Sequence, residues 1–269
     1  MAYRFDADLE FLKNMESEDL NDLVEAIVGK EGDTRLTESL TTNDLYEAHY
    51  PDHKQYVKLI MGEIQEFGGN SFANVFRGGG VFYREIVRDV ADRMKVKYKK
   101  GASTADIETD IFIKIVSDAF SKMSEAEIQE VMADFAPDSS DLSDLVQAAG
   151  IKNIASLPKA AAATAMMQFL LTQGGFATYK ATLIVANVVW KTLFGHGLAL
   201  ATNAALTRAL SVLIGPIGWA IAGIWTALDI AGPAYRVTVP VVIQVAYLRS
   251  LYEQRKNGTI DKDGNEIVK

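Results

Sequence analysis

ATLIVANVVWKTLFGHGLAL (181–200), ATNAALTR (201–208) and ALSVLIGPIGWAIAGIWTAL (209–228) form one nearly continuous apolar tract. Its last part carries no charged residue from Ala209 to Leu228. About 20 apolar residues in a helix match the hydrocarbon thickness of a bilayer. The same composition suits a helix at the centre of a protein core, where every face is covered. Two features weigh towards a core. Trp190, Trp219 and Trp225 do not form a pair of interfacial belts. Gly215-Pro216 can also break the tract into a helical hairpin. Gly215, Gly218 and Gly223 give that hairpin small surfaces suited to close helix packing in either setting.

The rest of the chain is more polar. Over all 269 residues the hydrophobic content is 49% and mean hydropathy is +0.05, between typical soluble and multi-span membrane values. Charge is split unevenly. From Ile151 onward there are 11 Lys/Arg and 5 Asp/Glu, which leaves 16 basic and 30 acidic groups in the first 150 residues. The basic, apolar half can be drawn to an anionic membrane surface or to its own acidic half. No dense Lys/Arg stripe with interleaved aromatics appears, so nucleic acid is not expected as a partner. With no cysteine, thiol nucleophiles, zinc–thiolate sites and disulfides are excluded. MAYRFDADLEFL lacks a basic region followed by an apolar core, and a cytoplasmic location is expected, peripheral to the inner membrane if the tract engages lipid.

Helical periodicity dominates. Asp6–Lys13 reads as a short opening helix with Leu9 and Leu12 on one face, and Ser17 as the cap of a second with Leu20, Leu23, Val24 and Ile27. A third is expected from Leu36 to Tyr46. Pro51 suits the first turn of a helix carrying Tyr56, Leu59, Ile60, Ile64 and Phe67. Further stripes are Tyr83, Ile86, Val87, Val90 and Met94, then Ile107, Ile111, Phe112 and Ile115. Ser124 and Glu127 form a capping box. A small-residue helix spans Ala160–Leu171, and Ala234 onward reads as a helix bent at Pro240. GTIDKDGNEIV near the end reads as an exposed hairpin turning at Asp263-Gly264. The fold class is all-α: a multi-helix globule around a hydrophobic helical hairpin. The expected organisation is an N-terminal helical module (1–48), an amphipathic helical domain (49–150), a hydrophobic helical domain (151–256) and an exposed tail (257–269).

Two blocks carry a family resemblance: GGNSFANVFRGGGVFYREIVRDV (68–90), and GHGL (195–198) with AYRVTVPVVIQVAYLR (234–249). Both resemble the YaaW family of uncharacterised bacterial proteins, and the opening DADLEFL resembles that family's short N-terminal module. The resemblance implies a helical region similar to a ubiquinol–cytochrome c chaperone domain, and it implies no activity.

Candidate sites follow from local chemistry. Gly68-Gly69 and Gly78-Gly79-Gly80 lack the Gly-Lys-Ser/Thr ending of a phosphate loop and read as helix caps. The polar residues Asn70, Ser71, Asn74 and Arg77, with Tyr83, are candidates for binding a protein partner. His49 and His53 are four apart, but Pro51 lies between them, so no metal site is expected. No hydrolase, kinase or zincin signature occurs, and neither catalytic residues nor a cofactor are expected. Membrane-interacting candidates in the tract are Val188, Trp190, Leu213, Ile214, Ile217, Trp219, Ile221, Ile224 and Trp225. The sequence therefore reads as a non-enzymatic helical protein with a latent membrane-interacting hairpin, pore-forming or membrane-perturbing. The alternative is a soluble chaperone-like or adaptor module that binds a protein partner.

Overall fold

Tyr56, Ile60, Ile64 and Phe67 are no more than 4% exposed, as their spacing requires. They belong to a computed structural model that describes residues 3–29, 39–69, 80–133, 158–199, 218 and 235–267. Among these residues the elements are α1 (Asn21–Val28), α2 (Asp44–His49), α3 (Val57–Gly69), α4 (Tyr83–Arg93), α5 (Thr104–Phe120), α6 (Glu125–Ala133), α7 (Lys159–Gln173), α8 (Gly175–Phe194) and α9 (Tyr235–Lys256), with short 3-10 turns. The only extended pairing among them is an isolated antiparallel bridge between Ile260 and Glu266. The fold is all-α.

Packing divides the chain into two units, each made of two stretches. Unit 1 is Met1–Glu108 with Trp225–Tyr252, and unit 2 is Thr109–Ile224 with Glu253–Lys269. The division falls within α5 and within α9.

In unit 1 the opening helix expected over Asp6–Lys13 is instead a 3-10 turn over Glu10–Asn14, with Leu9 and Leu12 fully buried. The Asp6 side chain accepts the Asp8 N–H (3.1 Å) and the Asp6 carbonyl accepts the Leu9 N–H (3.0 Å), which tightens the entry. Ser17 does not cap a helix. Its hydroxyl donates to Asp52 at 2.5 Å and accepts the Lys54 N–H at 3.1 Å. The helix expected to begin at Leu36 begins at Asp44, because Asn43 caps it by accepting the Leu45 N–H (3.0 Å); residues 36–38 lie outside the described residues. Pro51 lies in the turn between α2 and the 3-10 turn His53–Tyr56, so α3 starts later than the proline suggests. The α4 and α5 stripes are buried as spaced. In α9 every residue from Val237 to Leu248 is buried and the helix continues through Pro240, as expected of a helix covered on all faces.

In unit 2 the capping box forms: the Ser124 N–H donates to Glu127 (2.7 Å) and the Glu127 N–H to Ser124 Oγ (3.3 Å). α8 is buried at every position from Ala181 to Trp190. It stops at Gly195, whose left-handed backbone (φ +82) lets its N–H reach the Lys191 carbonyl at 2.9 Å. The chain then turns, and the Leu198 N–H donates to the buried Asn187 Oδ1 at 2.7 Å. The first arm of the apolar tract is thus a core helix. Its second arm, apart from Gly218, lies outside the described residues. The tail turns at Gly264 (φ +80) as expected, but it is not wholly exposed. Ile260 is buried, and Gly264 sits so near the Tyr179 hydroxyl that any side chain there would collide.

Candidate functional site

The first N–H groups of a helix have no partner within it. α5 meets this demand in part locally, the Asp106 N–H donating to Ser103 Oγ at 3.1 Å and the Ser103 N–H to Asp106 Oδ2 at 3.0 Å. α4 does not, and in unit 1 the N-terminal stretch supplies a partner for it and a further tie to α5. Phe82, before α4, makes no side-chain cap, and the Tyr83 N–H instead donates to Asp6 Oδ2 at 2.6 Å. At the start of α5 the Thr104 hydroxyl donates to Asp8 Oδ2 at 2.6 Å. Two carboxylates near the positive ends of two helices are well placed electrostatically.

One turn into α5, Glu108 is 3% exposed and meets Arg249 of α9. Arg249 donates through Nε to Oε2 at 2.7 Å and through Nη2 to Oε1 at 3.1 Å, a bidentate fork. Its Nη2 also donates to the Asp8 carbonyl at 2.9 Å, and its guanidinium lies 4.7 Å from the centre of the Phe11 ring. Phe11 in turn packs on Tyr252, with ring centres 5.8 Å apart. Burial pushes the Glu108 carboxyl above its ordinary value, a rise that Arg249 only partly offsets. Tyr83 is pushed well up by burial and then by the neighbouring Glu108 charge. Burial opposes the charge on Arg249, but the Glu108 carboxylate outweighs it and holds Arg249 above its usual value. Glu108 and Tyr83 have the perturbed acidity of catalytic groups. Chemically, however, the arrangement fastens chain segments together, because the acid is clamped by its cation and sealed from solvent.

A second tie joins α4 to α9. The Tyr235 hydroxyl donates to Asp89 Oδ2 at 2.7 Å and accepts from Arg93 Nε at 3.0 Å. A third centres on His53. The buried ring stands 2.5 Å from the Tyr56 hydroxyl through Nδ1 and 2.8 Å from Asn21 Oδ1 through Nε2. Both nitrogens are therefore engaged, while His49 is exposed at the end of α2. The two histidines do not converge, and no cluster of metal-ligating side chains occurs among the described residues.

Of the residues proposed from sequence to face a partner, Tyr83 is fully buried, held inside unit 1 by Asp6 and beside Glu108. Asn70, Ser71, Asn74 and Arg77 lie outside the described residues. Of the tract residues proposed to meet lipid, Val188 and Trp190 are fully buried in unit 2, where Trp190 stacks on Phe194 with ring centres 4.0 Å apart. In this structure both are covered by their own unit, as expected of an all-apolar helix in a core. Leu213, Ile214, Ile217, Trp219, Ile221, Ile224 and Trp225 lie outside the described residues. Among the described residues no helix is long and apolar enough to cross a membrane.

Residues 3–36 match a domain of unknown function (DUF3944), and residues 52–243 match the ubiquinol-cytochrome C chaperone family. A UPF0174 protein of Helicobacter pylori strain J99 is 45% identical over 255 residues, covering 94% of this chain and 95% of that protein. The chain belongs to the UPF0174 family. A second UPF0174 protein of the same strain is 36% identical, over 80% of this chain and 97% of the relative. UPF0174 protein YaaW of Escherichia coli K12 is 32% identical, over 93% and 96%. No solved structure matches. In this UPF0174 chain the Arg249 cluster draws Asp6 and Asp8 from the first matched region and Tyr83 and Glu108 from the second. Arg249 itself lies beyond both. Sequence reading missed the cluster because Arg249 and its partner Asp8 are 241 residues apart, and no local pattern links them.

Proposed function

We propose that this UPF0174 chain is a non-enzymatic, chaperone-like helical module that binds a protein partner. The supporting observation is the match of residues 52–243 to the ubiquinol-cytochrome C chaperone family. The clamped state of Glu108 agrees with it, since an acid held by Arg249 is poorly placed to serve a substrate. In this reading Asn70, Ser71, Asn74 and Arg77 contribute to the partner face. The segment that carries them leaves α3 and returns where the Val81 N–H donates to the Gln65 carbonyl at 3.0 Å. Affinity purification of tagged wild-type chain and of Arg77→Glu from the native host tests the proposal. A specific co-purifying protein that Arg77→Glu loses supports it, and recovery of the bare chain in both cases refutes it.

A second reading rests on Ala209–Leu228, which carries no charge over a bilayer's length. In it a chain located in the cytoplasm engages anionic lipid at the inner membrane through that segment. Flotation with anionic liposomes tests this, and a chain that stays at the bottom of the gradient at both neutral and acid pH ends it.

A further inference from the structure

Phe5 and Phe82 are exposed aromatic residues on neighbouring stretches of unit 1, at 68% and 40% exposure. Loose termini often expose such residues, but these are held. On one side of Phe5, the Arg4 N–H donates to Gln65 Oε1 at 3.1 Å and the Arg4 carbonyl accepts from Gln65 Nε2 at 2.9 Å, with Gln65 itself buried. On the other side, Asp6 accepts the N–H of Tyr83, the residue after Phe82. Both aromatics are thus fixed in water by their neighbours' hydrogen bonds. Between these anchors the Arg4 guanidinium lies 3.7 Å from the centre of the Phe82 ring.

A guanidinium stacked on a ring uses its face and keeps its in-plane N–H donors for an oxygen acceptor, and the matching acceptor is a carboxylate. Arg4 makes no ion pair and no side-chain hydrogen bond among the described residues. The first 150 residues hold 30 acids against 16 bases, and no carboxylate among the described residues pairs with Arg4. A fixed, uncommitted cation beside exposed rings on a rigid frame is the arrangement of a pre-organised contact surface.

We propose that Arg4, Phe5 and Phe82 form a docking surface for a peptide segment that presents a carboxylate next to a large apolar side chain. The carboxylate pairs with Arg4 and the apolar group covers the rings. This inference rests on the reading of the chain as a protein-binding module, but it names residues other than Asn70, Ser71, Asn74 and Arg77.

Selection of a phage-displayed library of random 12-residue peptides against the full chain tests it, with Arg4→Glu, Phe5→Ser/Phe82→Ser and Arg77→Glu chains selected in parallel. Circular dichroism and melting of each variant exclude unfolding; Phe5→Ser alone, at the most exposed position, serves if the double variant melts early. The expected result is enrichment of Asp or Glu beside Phe, Tyr, Trp or Leu. Arg4→Glu should bind the winning peptide at least about tenfold more weakly, as loss of a charge-assisted fork implies, and Arg77→Glu should bind it unchanged. A motif that depends on Arg77 and ignores Arg4 overturns this surface and leaves the protein-binding reading standing. Absence of any enriched motif counts against both. Concentration-dependent self-association lost in the Phe5→Ser/Phe82→Ser chain would overturn the peptide assignment in favour of a second copy.

Discussion

Arg249 and Glu108 illustrate why a buried ion pair is better judged by what its rupture costs than by its existence. Removing one partner leaves the other charged and enclosed, at about 3–5 kcal/mol, whereas replacing both by apolar side chains of similar volume is often neutral or stabilising. Arg249→Ala should therefore lose about that much in urea denaturation. The double variant Glu108→Met/Arg249→Met should regain most of it; a double variant as weak as the single would mean that the Asp8 and Phe11 contacts carry the effect. His53 gives the clearest pH dependence. Burial lowers its affinity for a proton below the ordinary 6.5, while Asp52 and Glu18 act in the opposite sense. The unfolded chain then takes up the proton first, so stability is full above pH 6.5 and falls as pH drops through and below that value. Melting temperature should decline between pH 7 and pH 5 in the wild type. The decline should be smaller in His53→Asn, measured against the same buffers.

At the level of elements, α6 is a local object and α9 is not. The α6 box is closed by two residues three apart, so Ser124→Ala should cost about 0.5–2 kcal/mol, read from the shift in urea midpoint. α9 carries Gln244 fully buried, with neither amide atom hydrogen-bonded among the described residues. A buried amide without partners is a liability, and exchange for an apolar group of like shape is neutral or favourable. Gln244→Leu should leave the melting temperature unchanged or raise it, and a fall of several degrees would reveal a partner. The same contrast separates what the sequence discloses from what it hides. Stripes at Tyr56–Phe67, Tyr83–Met94 and Ile107–Ile115, the Ser124 box and the Asp263-Gly264 turn are legible because their causes lie within a few residues. The start of α2 and the roles of Ser17 and Tyr83 are not. Ser17 answers to Asp52, and Tyr83 to Asp6, partners that no local pattern announces. The Arg4–Phe82 stack is hidden for the same reason.

For the whole molecule, the decisive fact is that unit 1 is assembled from residues before 109 and residues 225–252. The region matching the chaperone family, 52–243, contains neither Asp6, which caps α4, nor Asp8, which accepts the Thr104 hydroxyl, nor Arg249. Expressed alone, that fragment should fail to give the cooperative melt and the protease resistance of the full chain. A fragment that melts cooperatively at the parent temperature would mean that both chain ends are dispensable to unit 1.

The bond from Arg249 to the Asp8 carbonyl spans 241 positions of sequence. A ribosome emits the chain from its start, at about 5–20 residues per second. Asp8 and Glu108 therefore emerge well before Arg249, which binds both, exists. For those seconds the nascent chain holds an unfinished half open to its surroundings, and translation speed becomes one of the variables that decide its yield.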